Sequence, residues 1–303
     1  MRVETGEERQ EAKMKGRGIA FGAATIVNAM PSGFGAALGV DLKTCAEVEL
    51  TEERTVEVEI TGDRSERKTL AEESFRAVLE RLGLGSRFGA RIRTESEIPV
   101  ACGMKSSSAA SNAVVIATLD ALGVRLEDSE IIGLGVDASL RAKTTLTGAF
   151  DDACASYYGG LYVTDNYRRR ILRSFSVDPL TVLFLVPAEK RYSGEVDIRL
   201  VRSARRLNEF AFREAAEGRY WQAMLLNGLM MSDLFKVDPA PIVLAIKNGA
   251  VSAGLCGKGP AICAVVREED VGAVTDGWSR VAPGHRVIRS TVNSRQTLPE
   301  GSA

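Results

Sequence analysis

The stretch Pro99-Val100-Ala101-Cys102-Gly103-Met104-Lys105-Ser106-Ser107-Ser108-Ala109-Ala110 decides how the rest of this chain is read. A proline and a glycine bend it. Three serines then enter a helical pattern of small and apolar residues that runs to Leu122 and stops at Gly123. Serine is a favoured N-cap because its hydroxyl accepts from the exposed amides of the first turn. That turn also offers unpaired N–H groups and the positive end of the helix dipole, so a phosphate arriving there meets donors already aimed at it. Lys105 adds a cation at the same spot. Ala109, Ala110 and Ala113 keep the helix start slim enough for a nucleotide to approach. A plain capped helix would need only one serine. From the residues alone, both an anion site and an ordinary cap stay open.

Other glycine patterns carry less. Gly133-Leu-Gly135-Val-Asp-Ala138 fits the dinucleotide fingerprint, but it lies inside a helical pattern rather than after a strand. A Walker A sequence is absent: Gly103-Met-Lys105-Ser106 lacks the upstream glycine, and Gly257-Lys258 is followed by Gly259. A phosphate site here therefore has to be a local device, because a net charge of −1 gives no bulk attraction for nucleic acid or another polyanion.

The chain has 303 residues, 45% apolar and 26% charged, which suits a globular enzyme of one or two domains without staples. Its five cysteines are far apart and form no C-x-x-C pair, so they read as reduced, buried thiols rather than a disulfide framework or zinc site. The longest apolar runs, 113–119 and 180–188, are too short to span a bilayer, and a cytoplasmic location is expected. Residues 1–15 are charged and lack the apolar core of a secretion signal; they read as a frayed or helical extension.

Outward from the serine run, 45–50 and 55–60 alternate apolar and charged residues around Thr51-Glu-Glu-Arg54, predicting a β-hairpin with one wet face. Helices are predicted over 70–82, 106–122 and 127–142, with strands at 88–92, 161–164 and 181–186. Amphipathic helices follow at 194–217 and 220–235, and Pro239 and Pro241 open a shorter one ending near Asn248-Gly249. Strands at 261–266 and 286–290 flank a helix over 269–280. The mixture indicates an α+β fold, with a boundary in the arginine-rich stretch 166–173. That gives an extension over 1–15, a first domain over 16–168 and a second over 169–303.

A second segment with chemistry is Thr147-Gly148-Ala-Phe-Asp151-Asp152-Ala-Cys-Ala-Ser156-Tyr-Tyr-Gly159-Gly160. Two adjacent acids stand in apolar surroundings, whereas solvated acids usually sit among other charges. A helix cap remains the alternative. The single histidine, His285, lies near a strand end and reads as a surface or satisfied residue, so a carboxylate has to carry any acid–base work.

The serine stretch resembles the central signature of the GHMP kinases, P-x-x-x-G-L-G-S-S-A-A, with Met104 for the leucine and one additional residue. Lysine followed by three serines is similar to the archaeal shikimate kinase variant. Two further segments agree, Gly22 to Thr44 and Gly254-Leu-Cys-Gly257-Lys-Gly259-Pro260-Ala261, although Lys258 replaces a usual small residue. The resemblance covers about residues 16–293. It implies a ribosomal protein S5 domain 2-like first domain and a ferredoxin-like second domain. It also implies ATP-dependent phosphorylation of the 3-hydroxyl of shikimate, in chorismate and aromatic amino-acid synthesis. Homoserine or mevalonate kinase, or a non-catalytic nucleotide-binding homologue, are the alternatives.

By the same resemblance, Pro99 to Ala110 holds the triphosphate, and Gly257 and Gly259 close the far side. Asp151 is the base or hydroxyl-orienting group, and its neighbour Asp152 stays a rival for that role. Mg²⁺ would use Ser108 and an acid on the preceding helix, Asp137. Shikimate carries a carboxylate, for which Arg141, Lys143, Lys43 and Arg191 are candidate clamps. No nucleic acid or membrane partner is expected.

Overall fold

The computed structural model describes residues 2–5, 8–11, 14–61, 68–85, 87–100, 102–187 and 197–294. Strands β1 (Arg2–Thr5) and β2 (Glu8–Glu11) pair with each other in antiparallel fashion. The extension expected to be frayed or helical is thus a hairpin where it is described.

The first sheet is built on β3 (Lys15–Val27) and β4 (Phe34–Thr51). β4 is long enough to serve three partners. One edge pairs with β3 along most of its length; the other pairs with β7 (Leu161–Asp165) and then with β6 (Gly89–Ser96). β5 (Val56–Thr61) and β8 (Arg170–Phe175) form the ends of this sheet, giving the order β5-β6-β4-β7-β8 with β3 beside β4.

The predicted hairpin between 45–50 and 55–60 does not form. Both segments are strands, but β6 lies between them, antiparallel to β4 and parallel to β5. Charge supplies the reason. Glu47 and Glu49 on β4, and Glu57 and Glu59 on β5, would repel if paired directly. Arg91 and Arg93 of β6 instead sit in register with both sets.

Helices α1 (Thr69–Arg81), α2 (Ser106–Leu122), α3 (Asp128–Arg141) and α4 (Phe150–Tyr158) cover one face of this sheet. α2 is the central one and is buried nearly all round. It lies directly on β3, where Gly16 and Gly18 face its backbone at Ala117, Ala121 and Ala113. A Cβ at Gly18 would lie 2.7 Å from the Ala117 nitrogen. The small residues that open the helix serve this packing: Ala109 and Ala113 are fully buried in the core. Slimness at these two positions therefore seats the helix rather than admitting a nucleotide. Gly135 in α3 is explained the same way, since a Cβ there would press on Asn112 of α2 at 2.7 Å, whereas a Cβ at Gly133 would meet only Arg169 at 4.0 Å.

The second sheet contains β9 (Thr181–Val186), β10 (Ser252–Leu255), β11 (Ile262–Val266) and β12 (Arg286–Thr291) in the order β10-β11-β9-β12, every pair antiparallel. Between β9 and β10 lie α5 (Ile198–Ser203), α6 (Arg205–Ala216), α7 (Tyr220–Leu234) and α8 (Ala240–Lys247). α9 (Val271–Val281) joins β11 to β12. This β-α-β-β-α-β succession and strand order are ferredoxin-like. The helix predicted over 194–217 is described from 198 and breaks at Ala204; residues 194–196 lie outside the described residues.

Because β8 still belongs to the first sheet, the chain passes to the second half in 176–180, later than the boundary expected after 168. The halves share a buried cluster in which Ile26 and Leu38 meet Phe184 and Met224. At about 25 cal/mol per Å² of apolar area removed from water, such a shared core holds the two sheets in a fixed relation. None of the five cysteines is in a disulfide, and four of them are buried.

Candidate active site

The shared cluster brings the start of α2 together with β3 and the β10–β11 loop, and the Lys105–Asp152 ion pair joins the start of α4 to them. Each of the two helices begins from a left-handed residue that is not glycine, Lys105 (φ 65°) and Ala149 (φ 51°). Such backbone costs about 1 kcal/mol or more and persists where its surroundings enforce it. Lys105, not a serine, is the N-cap of α2, and no side chain caps that helix. The serines occupy the first turn itself. Its amides lack a side-chain acceptor, and Lys105, Ser106 and Ser107 are half-exposed.

The three glycine-rich segments converge. Gly103 (φ 78°) passes so near Cys256 that a Cβ would stand 2.8 Å from its carbonyl carbon, and the Ala261 amide donates to the Cys102 carbonyl at 3.3 Å. Gly257 is pinned on both sides. Its N–H donates to Thr25 Oγ1 at 2.9 Å, and its carbonyl accepts from Asn28 Nδ2 at 2.9 Å. The backbone of Asn28 is in turn held by Asn227 (N–H to Oδ1, 3.0 Å) and Asn208 (Nδ2 to C=O, 2.8 Å); Ser32 also bonds to Asn208. Gly259 packs near Leu255 and Val237. Lys258 lies half-buried beside this loop, its pKa lowered by burial and by the charge of Lys105.

Asp151 and Asp152 stand in the first turn of α4, buried, where the helix dipole favours negative charge. They do different work. Asp151 Oδ1 accepts from Asn166 Nδ2 at 2.7 Å, and the Asp151 N–H donates to Asn166 Oδ1 at 3.2 Å. Thr164 Oγ1 donates to Asn166 Oδ1 at 2.6 Å, which holds the amide's orientation. Burial pushes the Asp151 carboxyl up to about 7, helped by the neighbouring Asp152 charge and opposed by Lys105 and Asn166. Space for it is made by Gly35, where a Cβ would lie 2.8 Å from Asp151 Cγ.

Asp152 faces the loop before α2 instead. Its Oδ2 takes the Lys105 ammonium at 2.8 Å, with side-chain exposures of 7% and 13%. Burial works against the charge of Lys105, but Asp152 and Asp151 outweigh it and raise its pKa. One half of the site is therefore cationic and rich in backbone N–H groups, and the other presents a carboxyl able to accept a proton near neutrality. A polyphosphate and a hydroxyl acceptor suit these halves.

The other sequence candidates divide. Pro99, Val100, Cys102, Gly103, Met104 and Lys105 form the loop that precedes the serines, with Cys102 and Met104 buried in the core; Ala101 lies outside the described residues. Ala110 is half-buried against Leu70 and Ala138. Ser108 is buried in the first turn of α2. Asp137 does not join it. Gly135 faces α2, and two residues further on the helix has turned by about 200°. Asp137 therefore looks outward and pairs with Arg169.

Arg141 is held by Glu80 at 2.7 Å, and Lys43 and Lys143 are exposed; Arg191 lies outside the described residues. His285 is exposed, as a surface histidine should be. Asn166, Asn208 and Asn227 are not among the candidates that the sequence offers. Asn227 stands in the apolar run Met224-Leu-Leu-Asn227, where a buried polar group needs partners, and that was a readable signal. Among the described residues, no three His, Cys, Asp or Glu side chains cluster as a metal site, and no helix is long and apolar enough to cross a membrane.

Comparison with known proteins places this geometry. Residues 69–160 match the GHMP kinases N terminal domain. A protein of Methanothrix thermoacetophila named shikimate kinase is 43% identical over 93% of this chain and 95% of its own. Its namesake in Methanosarcina mazei is 39% identical over 96% and 99%. The homoserine kinase structure from Cytophaga hutchinsonii superposes with a TM-score of 0.71 at 18% identity, covering 96% of this chain and 98% of that one, which shows a shared fold. With relatives of this identity along nearly its whole length, the chain belongs to the archaeal shikimate kinase family of GHMP kinases.

Proposed function

We propose that this protein transfers the γ-phosphoryl group of ATP to the 3-hydroxyl of shikimate. The observation that carries the reading is the buried Asp151 carboxyl, poised near neutrality next to the open first turn of α2. Phosphoryl transfer asks for positioning, charge neutralisation and a group that takes or orients the hydroxyl proton. The first-turn amides at Ser106 and Ser107 receive the phosphates, the Ser108 amide being bonded to the Lys105 carbonyl at 3.1 Å, with Lys105 and Lys258 supplying positive charge and the Gly257 loop closing the site. The acceptor oxygen forms its bond to the γ-phosphorus while ADP leaves, and the hydroxyl proton passes to Asp151. Asn166 keeps that carboxyl turned towards the acceptor.

Mg²⁺ bound with the nucleotide would neutralise phosphate charge, and a hard cation takes oxygen ligands such as the Ser108 hydroxyl and phosphate oxygens. The donors beside this turn are oxygens, which such a cation prefers. A cytoplasmic enzyme using a small-molecule substrate fits this chemistry.

The test is ATP turnover measured against shikimate, homoserine and mevalonate. Turnover with shikimate and not with the other two is the expected result. Turnover only with homoserine or mevalonate would replace the substrate, and none with any acceptor would make the protein a nucleotide-binding homologue.

A further inference from the structure

We propose that Asn208 of α6 is a positioning residue for the transfer step, holding the acceptor side of the site in register with the glycine loop on the phosphate side. The inference rests on the kinase reading above and adds to it a fully buried residue that acts through others.

Asn208 stands where two runs of hydrogen bonds meet. Its Nδ2 donates to the Asn28 carbonyl at 2.8 Å, and its Oδ1 accepts from the Ser32 hydroxyl. Both partners lie in the turn between β3 and β4, in the first half of the molecule, whereas α6 belongs to the second. From Asn28 the bonds run to the phosphate side. Asn28 Nδ2 donates to the Gly257 carbonyl at 2.9 Å, and the Gly257 N–H donates to Thr25 Oγ1 at 2.9 Å. Gly257 is backed against Gly103, whose carbonyl oxygen would stand 3.2 Å from a Cβ placed there, so the loop before α2 is set by the same bonds. From Ser32 the bonds run to the acceptor side. Ser32 Oγ accepts from the Phe34 N–H at 3.1 Å, and the neighbouring Gly33 carbonyl accepts from the Asn166 N–H at 2.9 Å. Asn166 Nδ2 in turn holds Asp151 Oδ1 at 2.7 Å. Asn227 of α7 secures the junction by accepting from the Asn28 N–H at 3.0 Å.

Asn28, Asn208 and Asn227 are all buried. Buried amides are unfavourable unless they are bonded, and these are. Apolar contact resists separation but has no direction, whereas a hydrogen bond does. The asparagines therefore set the register of two halves that the cluster of Ile26, Leu38, Phe184 and Met224 holds together. In-line transfer depends on that register, because a displacement of about 1 Å at the reacting atoms lowers the rate by about a hundredfold. The junction spans the whole distance from the Gly257 loop to Asp151, and Asn208 is the one side chain that bonds to both of its arms.

The test is steady-state kinetics of Asn208→Ala, Ser32→Ala and Ser32→Thr, with ATP and shikimate varied in turn and folding followed by circular dichroism melts. For Asn208→Ala, kcat is expected to fall by about a hundredfold, with both KM values within a few-fold of wild type. Ser32→Ala breaks only the acceptor-side arm, and kcat should fall by about tenfold, the effect of one hydrogen bond. Ser32→Thr restores the hydroxyl and should recover most of that loss. Unchanged kcat in Asn208→Ala, or a loss that appears only in KM, overturns the assignment and leaves the kinase reading intact. Absence of shikimate turnover in the wild type overturns both. Should Asn208→Ala not fold, the Ser32 variants decide alone. A kcat lost in Ser32→Ala and regained in Ser32→Thr supports the junction, and any other pattern overturns it.

Discussion

Two regions of this molecule are rich in charge and use it in opposite ways. On the open face of the first sheet, Lys15 and Arg17, Glu47 and Glu49, Arg91 and Arg93, and Glu57 and Glu59 form columns of alternating sign on neighbouring strands. Their ion pairs are long and wet, with Lys15–Glu49 at 3.2 Å and Arg91–Glu57 at 3.5 Å. They border a groove of about 980 Å³. Between the sheets, Lys105, Asp151 and Asp152 stand buried together. The many exposed charges specify strand order and contribute little energy apiece. The few buried ones are costly to hold and are the groups proposed to carry the chemistry.

The sharpest break of that contrast is Asp151→Asn. Turnover should fall about 10²–10⁴-fold, the usual worth of a positioned base, while ATP affinity stays within a few-fold. The same variant should be more stable than wild type at pH 8. The folded protein keeps its proton on Asp151 up to about 7, whereas the unfolded chain releases it near pH ~4. Stability from the neutral acid is therefore present at low pH and lost as pH rises towards 7. Asparagine escapes that loss, so the gain in melting temperature should shrink as pH is lowered towards 4.

Lys105→Met comes next. It leaves Asp152 buried without its cation, and denaturant unfolding should show a loss of about 3 kcal/mol. Gly35→Ala forces a methyl against the Asp151 carboxylate, costing about 1–3 kcal/mol together with much of the activity. At the small end is Glu57→Gln on the open face. Its effect on stability should stay below about 1 kcal/mol, vanish in high salt and leave kcat unchanged. A large loss there would mean that the wet columns are not the weak partners their exposure indicates.

Much of this was legible in the chain. Helical period and caps locate α1, α2 and α3 to within about a residue, and β9 falls where its apolar run lies. Strand neighbours were harder, because alternation reports which face is wet and not which strand lies alongside. The matching charges of β4, β5 and β6 held the missing information. At the site, the serine run and the isolated acids could be recognised because each breaks the local pattern. Asp137 could not be placed, since its direction depends on which side of α3 meets α2. Asn166 looked like one polar residue among many in an arginine-rich turn, and only the tertiary fold brings it to Asp151.

In the proposed reaction the uncapped first turn of α2 holds the triphosphate while its γ-phosphoryl passes to an acceptor at Asp151. A crystal structure with a non-hydrolysable ATP analogue and shikimate tests it most directly. Phosphate oxygens are expected within hydrogen-bonding distance of the amides at Ser106 and Ser107, with the shikimate 3-hydroxyl against the Asp151 carboxylate. A nucleotide bound away from this turn, or an acceptor hydroxyl resting on another acid, would contradict it.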